Sequence, residues 1–298
     1  MRAKWFVAIP ILALLMVSAV ACGGGEGEAG LAEEIADAAV AAYTEQDTYQ
    51  FDMDMTVEMD VTGVDETVEG TVTVDMNGAR DKVNRRTYTN MQTSTDPSTA
   101  MEGEVEMYNM GDWTYLKTSM PGEPPIWLKW EVCLQCGGGE KLDMVGQQVD
   151  LLGESVDVEI VDNDKLDATE CYVLEVKPGL EKLWEWVQDQ VALQNQLPAL
   201  GSGLEGVISD FAINQWIAKD TYFILKSTLD VTLTFSSSSS SCPSCGLIPA
   251  LPGESARTYD ITVTVVVYDV NQPANIELPP EAEDAKEGSL SVPILGAW

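Results

Sequence analysis

Apolar and polar residues alternate along most of this chain. From Phe51 to Val61 every odd position is apolar and every even position is polar. A period of two indicates a β-strand with one buried face and one solvated face. The same pattern returns in 68–76, 83–93, 101–107, 113–117, 126–132, 156–161, 171–176, 212–218, 221–235 and 259–270. It is less clear in 83–93 than in the other segments. We therefore predict an antiparallel meander of about ten strands with a single apolar face.

Three segments have helical spacing instead. They are residues 31–47, 140–152 and 179–194, and in the last of these Leu183 and Trp184 fall on the apolar side. Asn77-Gly78 is a sequence typical of tight hairpin turns, so we predict a turn there. Because so few helices cannot fill the inside of so wide a sheet at native density, the sheet must curl around them or enclose a cavity.

The N-terminus predicts export. Arg2 and Lys4 precede an apolar run that is short for a membrane span, and small residues then lead into Cys22. Ala19-Val20-Ala21-Cys22 resembles a bacterial lipobox, with Ala19 where leucine is usual, and this resemblance implies cleavage before Cys22 and lipidation of its sulfur. A plain signal peptide or an uncleaved anchor are the alternatives. The Gly/Glu run after Cys22 is typical of a flexible tether.

The expected organisation follows from these patterns. We predict a signal peptide at 1–21, a lipidated cysteine and tether at 22–30, one domain at 31–282, and an extended tail at 283–298. The predicted fold class is α+β, mainly β.

Charge and composition exclude several functions. The chain has 49 acidic and 16 basic residues, a net charge of −33 and no histidine. A negative field of this size repels nucleic acid and opposes flat binding to anionic membranes. The lack of histidine removes the usual general base and every histidine metal site. There is no Gly-x-Ser-x-Gly elbow and no phosphate loop, so we interpret the chain as non-enzymatic.

Five cysteines remain beyond Cys22. Two Cys-x-x-Cys-Gly sequences lie in separate loops, Cys133–Cys136 and Cys242–Cys245, and Cys171 falls in a strand as a buried thiol. An oxidising location favours disulfides in the two loops, which would leave Cys171 as the single free thiol. The alternative is a structural zinc held by the four loop thiolates, and no other cofactor is expected.

An acidic segment at Asp162–Asp167 has a weak likeness to a calcium-binding loop. Leu166 stands at a ligand position and the required glycine is missing. We therefore expect a solvated turn.

The order of lipobox, helix, long meander, helical excursion and β-hairpin resembles the LolA/LppX-type lipoprotein superfamily over residues 31–282. The phrases Gly111–Lys117, Ile126–Lys129 and Asn271–Pro279 add to the resemblance. It implies a half-barrel, that is, a large curved antiparallel sheet with a few helices packed on its concave face. It also implies acyl chains bound between sheet and helices, and no enzymatic activity. The acidity and the two cysteine loops depart from the family.

Methionine is concentrated in the first half of the predicted sheet. Its flexible, polarizable side chain suits a wall that adapts to ligands of varying shape, although it also fills ordinary cores. Trp184 on the third helix fits core packing, and Trp186 fits either packing or a lid. The predicted cavity wall consists of Phe51, Met53, Met55, Val57, Val72, Val74, Met76, Val105, Met107 and Trp184.

The resulting hypothesis is a lipoprotein anchored to the cell membrane on its extracytoplasmic face, which binds or carries a lipid in a cavity between sheet and helices. The expected partners are the membrane, through the anchor, and a lipid ligand, with an envelope protein as a further candidate. The alternative is an interaction or sensor module of the same fold with a collapsed pocket.

Overall fold

The computed structural model describes residues 26–62, 67–96, 103–119, 122, 124–131, 143–179, 181, 183, 208–236 and 256–288. The predicted signal peptide, Cys22, Trp184, Trp186 and both Cys-x-x-Cys-Gly loops lie outside these residues. Among those described, no helix is long and apolar enough to cross a membrane.

Strands dominate the fold. The helices are α1 (Glu26–Thr44) and α2 (Met144–Gly153). The strands are β1 (Thr48–Thr62), β2 (Thr67–Asp81), β3 (Arg86–Asp96), β4 (Gly103–Met110), β5 (Trp113–Ser119), β6 (Ile126–Glu131), β7 (Ser155–Leu166), β8 (Thr169–Pro178), β9 (Ile208–Ala218), β10 (Ile224–Ser236), β11 (Ala256–Tyr268) and β12 (Lys286–Glu287). A 3₁₀ helix spans Pro280–Asp284. From the third predicted helix, 179–194, the structure describes Gly179, Glu181 and Leu183, and the last two are helical.

All the described strands join one sheet in the order β12-β6-β5-β4-β3-β2-β1-β11-β10-β9-β8-β7. Two meanders, β1–β6 and β7–β11, meet where β1 pairs antiparallel with β11. Only β12 runs parallel to its neighbour, β6. The sheet is open and curved and does not close into a barrel, which confirms the predicted half-barrel class.

Alternation fixes the register of the central strands. In β1, Phe51 and Met53 are 1% and 4% exposed, whereas Asp52 and Asp54 between them are exposed. A slip of one residue would bury a row of carboxylates, which costs far more than the lost pairing.

The helices cover one part of the apolar face. Ile35 of α1 and Val149 of α2 are buried at 2% and 4% exposure. The two helices pack on each other, α1 against β7 and α2 against β8, β10 and β11. The densest part of the core therefore lies between the helices, β7–β11 and the adjoining β1.

The turn predicted at Asn77-Gly78 is wrong, because β2 continues to Asp81 and the chain reverses at 82–85. A Cβ at position 78 would lie 2.6 Å from the Phe51 ring and 2.5 Å from the Tyr88 carbonyl oxygen. The glycine therefore makes room for an aromatic ring from the neighbouring strand, a device known to support glycine in sheets.

The solvated turn predicted at Asp162–Asp167 is wrong over most of its length. β7 extends to Leu166, and Lys165 pairs with Glu170 in β8. The reversal falls at Asp167, which has a positive φ of 51°. The side chains of 162–165 are exposed, so their polarity reflects solvent contact along a strand. The described residues contain no group of three or more potential metal ligands.

The structure describes short segments near both predicted ends of the domain. Helix α1 begins at Glu26, inside the predicted tether. Part of the predicted extended tail is folded onto the sheet: Lys286 and Glu287 pair with Leu128 and Lys129 of β6. Ahead of them, Ala282 in the 3₁₀ helix is fully buried.

Candidate functional site

One row of facing residues crosses the helix-covered face of the sheet at the same level of every strand from β6 to β7. Paired residues on neighbouring strands point to the same side of a sheet, so these side chains form a continuous surface. We call it the central row. From β6 to β7 it consists of Ile126, Thr118, Val105, Met91, Met76, Met53, Val265, Ser227, Gln215, Leu174 and Ile160.

Exposure changes systematically along the central row. Val265 and Met53, near the helices, are 2% and 4% exposed, Met76 and Met91 are half-buried, and Ile126 at the far end is 47% exposed. Helices α1 and α2 pack mainly against β7, β8, β10 and β11, and so they leave the β2–β6 part with less cover. The central row therefore runs from solid core into partly open surface.

The neighbouring rows are more covered in places, since Val74 and Leu116 are 1% and 3% exposed. Met55 lies one row away from the central row, and Val57, which faces Val72, lies two rows away. On the other side of the central row, Met107 faces Leu116 one row away. We define the apolar strip as the half-buried residues of these rows: Met55, Val57, Val72, Met76, Met91, Val105 and Met107.

The predicted wall residues fall into two groups. Phe51, Met53 and Val74 are buried at 1%, 4% and 1% exposure and belong to packed core. Met55, Val57, Val72, Met76, Val105 and Met107 all lie in the apolar strip. Met91 was not among the predicted wall residues, because β3 is mostly polar. The alternation of Thr89, Met91 and Thr93 with Asn90 and Gln92 was the available signal.

Polar side chains occupy the covered end of the central row. Gln148 of α2 faces the sheet, where its Oε1 accepts a hydrogen bond from Ser227 Oγ at 2.8 Å. Gln215 Nε2 donates to the backbone oxygen of Gln148 at 2.9 Å. Gln148, Ser227 and Gln215 are 3%, 2% and 0% exposed. We call these three residues the polar end; the sequence analysis assigned them no role.

Helix α2 is held at its first residue by a buried carboxylate. Asp143 caps the helix by accepting from the Gly146 amide at 2.8 Å, and it also accepts hydrogen bonds from the hydroxyls of Tyr43 and Tyr49. Arg80 completes an ion pair with it. These partners come from α1, β1 and β2, so one carboxylate ties four elements together.

Burial sets the protonation of this cluster. Burial raises the pKa of Tyr43 and Tyr49 far above the ordinary range, and the Asp143 charge raises it further. Both hydroxyls therefore remain protonated and act as donors. Burial lowers the pKa of Lys82 to about 8. The Lys82 ammonium donates to the Tyr43 carbonyl at 2.8 Å and lies 3.3 Å from the centre of its ring. The cluster is a structural clamp.

The predicted state of Cys171 is confirmed. Its side chain is free and fully buried, its thiol donates to the Thr169 carbonyl at 3.6 Å, and burial raises its pKa. A buried thiol of this kind is chemically inert. The disulfide or zinc interpretation of Cys133, Cys136, Cys242 and Cys245 concerns residues outside the described part and stays a prediction.

No protein-family model matches the chain, and no curated protein matches its sequence. Among solved structures, LprF from Mycobacterium bovis aligns at 11% identity and a TM-score of 0.47, over 84% of this chain and 97% of that one. The lipoprotein LppX from Mycobacterium tuberculosis aligns at 9% identity and a TM-score of 0.41, over 83% and 99%. An outer membrane lipoprotein-sorting protein domain from Vibrio parahaemolyticus aligns at 11% identity and a TM-score of 0.25, over 84% and 95%. At identities of 9% and 11%, these are similarities of fold alone.

Proposed function

We propose that this protein is a membrane-anchored extracytoplasmic lipoprotein that binds or carries a lipid, with the acyl chain lying against the apolar strip. The observation that carries the proposal is the gradient of exposure along the central row, from 4% at Met53 to 47% at Ile126. A contiguous apolar surface that leaves the core and remains partly open is typical of a ligand-binding face.

The dimensions of the central row suit a long acyl chain. Neighbouring strands lie about 4.8 Å apart, so the central row spans about 24 Å between β1 and β6. Each methylene that the strip removes from water contributes about 0.8 kcal/mol. Four of the residues in the strip are methionines, Met55, Met76, Met91 and Met107, whose side chains adapt to chains of different length.

Charge confines a hydrocarbon to this face. The opposite sides of the same strands carry acidic residues, and Asp54 pairs across strands with Asp75. Burial and the neighbouring Asp75 raise the pKa of Asp54, which reflects the crowding of carboxylates there. A face of this kind favours water and disfavours both hydrocarbon and anionic groups.

A matched pair of substitutions tests lipid binding. Met91→Trp adds bulk inside the apolar strip, whereas Gln92→Trp adds the same ring to an exposed position on the opposite face of the strand. We expect Met91→Trp to weaken binding of a fluorescent fatty acid about tenfold, with a change in unfolding free energy of about 1 kcal/mol, because an open surface accepts bulk that a packed core rejects. Gln92→Trp should bind as the parent does.

The second candidate function is an interaction or sensor module with a collapsed pocket. The burial of Phe51, Met53 and Val74 in packed core favours it, because three of the predicted wall positions leave no space. Under this alternative the parent chain binds no fatty acid. A loss of several kcal/mol in unfolding free energy for Met91→Trp would also support a collapsed pocket, because Met91 would then lie in a filled core.

The anchor has its own test. Cys22 lies four residues before the start of α1 at Glu26, so a lipid on its sulfur would hold the domain close to the membrane. Cys22→Ser should move the protein from the membrane fraction to the soluble fraction. Continued fractionation of the serine variant with membranes would show that something other than lipidated Cys22 retains it.

A further inference from the structure

The polar end of the central row contains a buried acceptor without a partner. Gln215 is fully buried and donates through Nε2 to the Gln148 carbonyl, while its Oε1 has no hydrogen-bond partner in the described structure. The orientation of this amide is fixed, since exchanging its oxygen and nitrogen would set two oxygens against each other.

Packing alone does not account for a glutamine at this position. Ile213 and Ile217, two residues before and after it on the same face of β9, are both fully buried and apolar. An unpaired buried acceptor costs about 1–3 kcal/mol, which an aliphatic side chain at position 215 would avoid. Among the described residues, Gln46 Oε1, Asn90 Oδ1 and Gln215 Oε1 are buried without a hydrogen-bond partner, and of these three Gln215 lies on the central row. A buried polar group without a partner calls for an explanation.

The register connects this acceptor to the proposed lipid site. Gln215 lies in the same row as Met53, Met76 and Met91, five strand spacings from Met91, or about 24 Å along the sheet. We propose that Gln215 Oε1 accepts a hydrogen bond from a hydroxyl or amide N–H of the bound lipid, whose hydrocarbon extends along the central row toward β6. This inference rests on the proposed function and specifies its ligand class as a lipid with a hydrogen-bond donor.

The path from the apolar strip to the polar end passes Met53 and Val265, beneath the helices. The methionine side chain has three rotatable bonds and can move aside. Helix α2 has ten residues, too few to be stable alone, and it is fixed at its start by the Asp143 cluster. Binding at the polar end requires the body of α2 to shift while this fixed end stays in place.

A buried acceptor selects ligands according to whether they carry a hydrogen-bond donor. A ligand without a donor leaves Gln215 Oε1 unpaired, whereas a ligand that carries one satisfies it. Hexadecanol and methyl hexadecyl ether make a suitable pair of probes, since both carry one oxygen on C1 of a hexadecyl chain and only the alcohol has an O–H donor. We expect the parent chain to prefer the alcohol about tenfold.

The experiment measures displacement of bound cis-parinaric acid by each probe from the full mature chain carrying Cys22→Ser. The expected result is a tenfold preference for hexadecanol in the parent, its loss in Gln215→Met with ether binding unchanged, and its retention in Ile213→Met. Equal binding of the two probes by the parent overturns the inference without any variant, as does a Gln215→Met protein that keeps the preference. If the parent binds neither probe nor the parinaric acid, the proposed function fails as well.

Discussion

Asp143 accepts hydrogen bonds from Tyr43, Tyr49 and the Gly146 amide, and it pairs with Arg80. The side chains of Asp143 and Arg80 are only 12% and 20% exposed. Each charge loses hydration energy on burial, and its attraction to the opposite charge compensates for that loss. The pair holds α2 against the end of α1 and the first two strands. The sequence pattern gave no sign of this cluster, because its members lie far apart in the chain.

The clamp predicts a large effect for a small substitution. Asp143→Asn removes the charge that compensates Arg80 and should lower the free energy of unfolding by about 3 kcal/mol in urea denaturation. The matched control is Asp112→Asn, in an ion pair whose partners Arg85 and Asp112 are 54% and 72% exposed. That change should cost no more than about 0.5 kcal/mol. Equal effects of the two substitutions would show that Asp143 is not a buried clamp.

At the scale of the element, β2 shows why a local signal can mislead. Asn77-Gly78 has the sequence of a hairpin turn, yet both residues pair within the sheet, Asn77 with Asp52 and Gly78 with Phe51. The ring that covers Gly78 comes from a neighbouring strand, which local sequence cannot reveal. The β7–β8 hairpin is a similar case, since its acidic residues are exposed along a strand instead of in a turn.

Gly78→Ala should destabilise the protein. The new Cβ would approach both the Phe51 ring and the Tyr88 carbonyl within 2.6 Å, so the strands or the ring must move, at a cost of about 1–3 kcal/mol. At Gly103 the nearest atom to a new Cβ is the Ser119 carbonyl oxygen at 3.6 Å, an ordinary contact. Thermal unfolding should therefore show a clear loss for Gly78→Ala and almost none for Gly103→Ala. A Gly78→Ala variant as stable as the parent would contradict the close approach.

Where strands lie could be predicted from the sequence, because strict alternation reports which residues face water at each position. The apolar faces of β1, β2, β10 and β11 were found in this way, and so were six residues of the apolar strip. The pairing of β1 with β11 could not be predicted. It joins segments about two hundred residues apart, and the alternation within each strand does not indicate which strand pairs with it. The position of Ser227 and Gln215 under α2 could not be predicted either, because only the folded structure shows it.

In the molecule as a whole, many acidic residues and the apolar residues lie on opposite faces of one sheet. Many of the carboxylates behind the net charge of −33 lie on the outer sides of the strands, and the apolar residues lie on the inner side. In the described part, α1 and α2 cover the β7–β11 side of that inner face more fully than the β2–β6 side. A curved sheet with part of its apolar face open is the feature on which the lipid-binding account depends.

Native mass spectrometry of the mature chain shows whether the protein carries a lipid. The Cys22→Ser variant should be secreted in a bacterial host and purified without detergent, so that no covalent lipid contributes to its mass. We expect a population that carries one lipid per chain, released by collisional activation and diminished in Met91→Trp but not in Gln92→Trp. A parent protein that carries no lipid, and takes up none when incubated with lipid vesicles, would contradict the lipid-binding account.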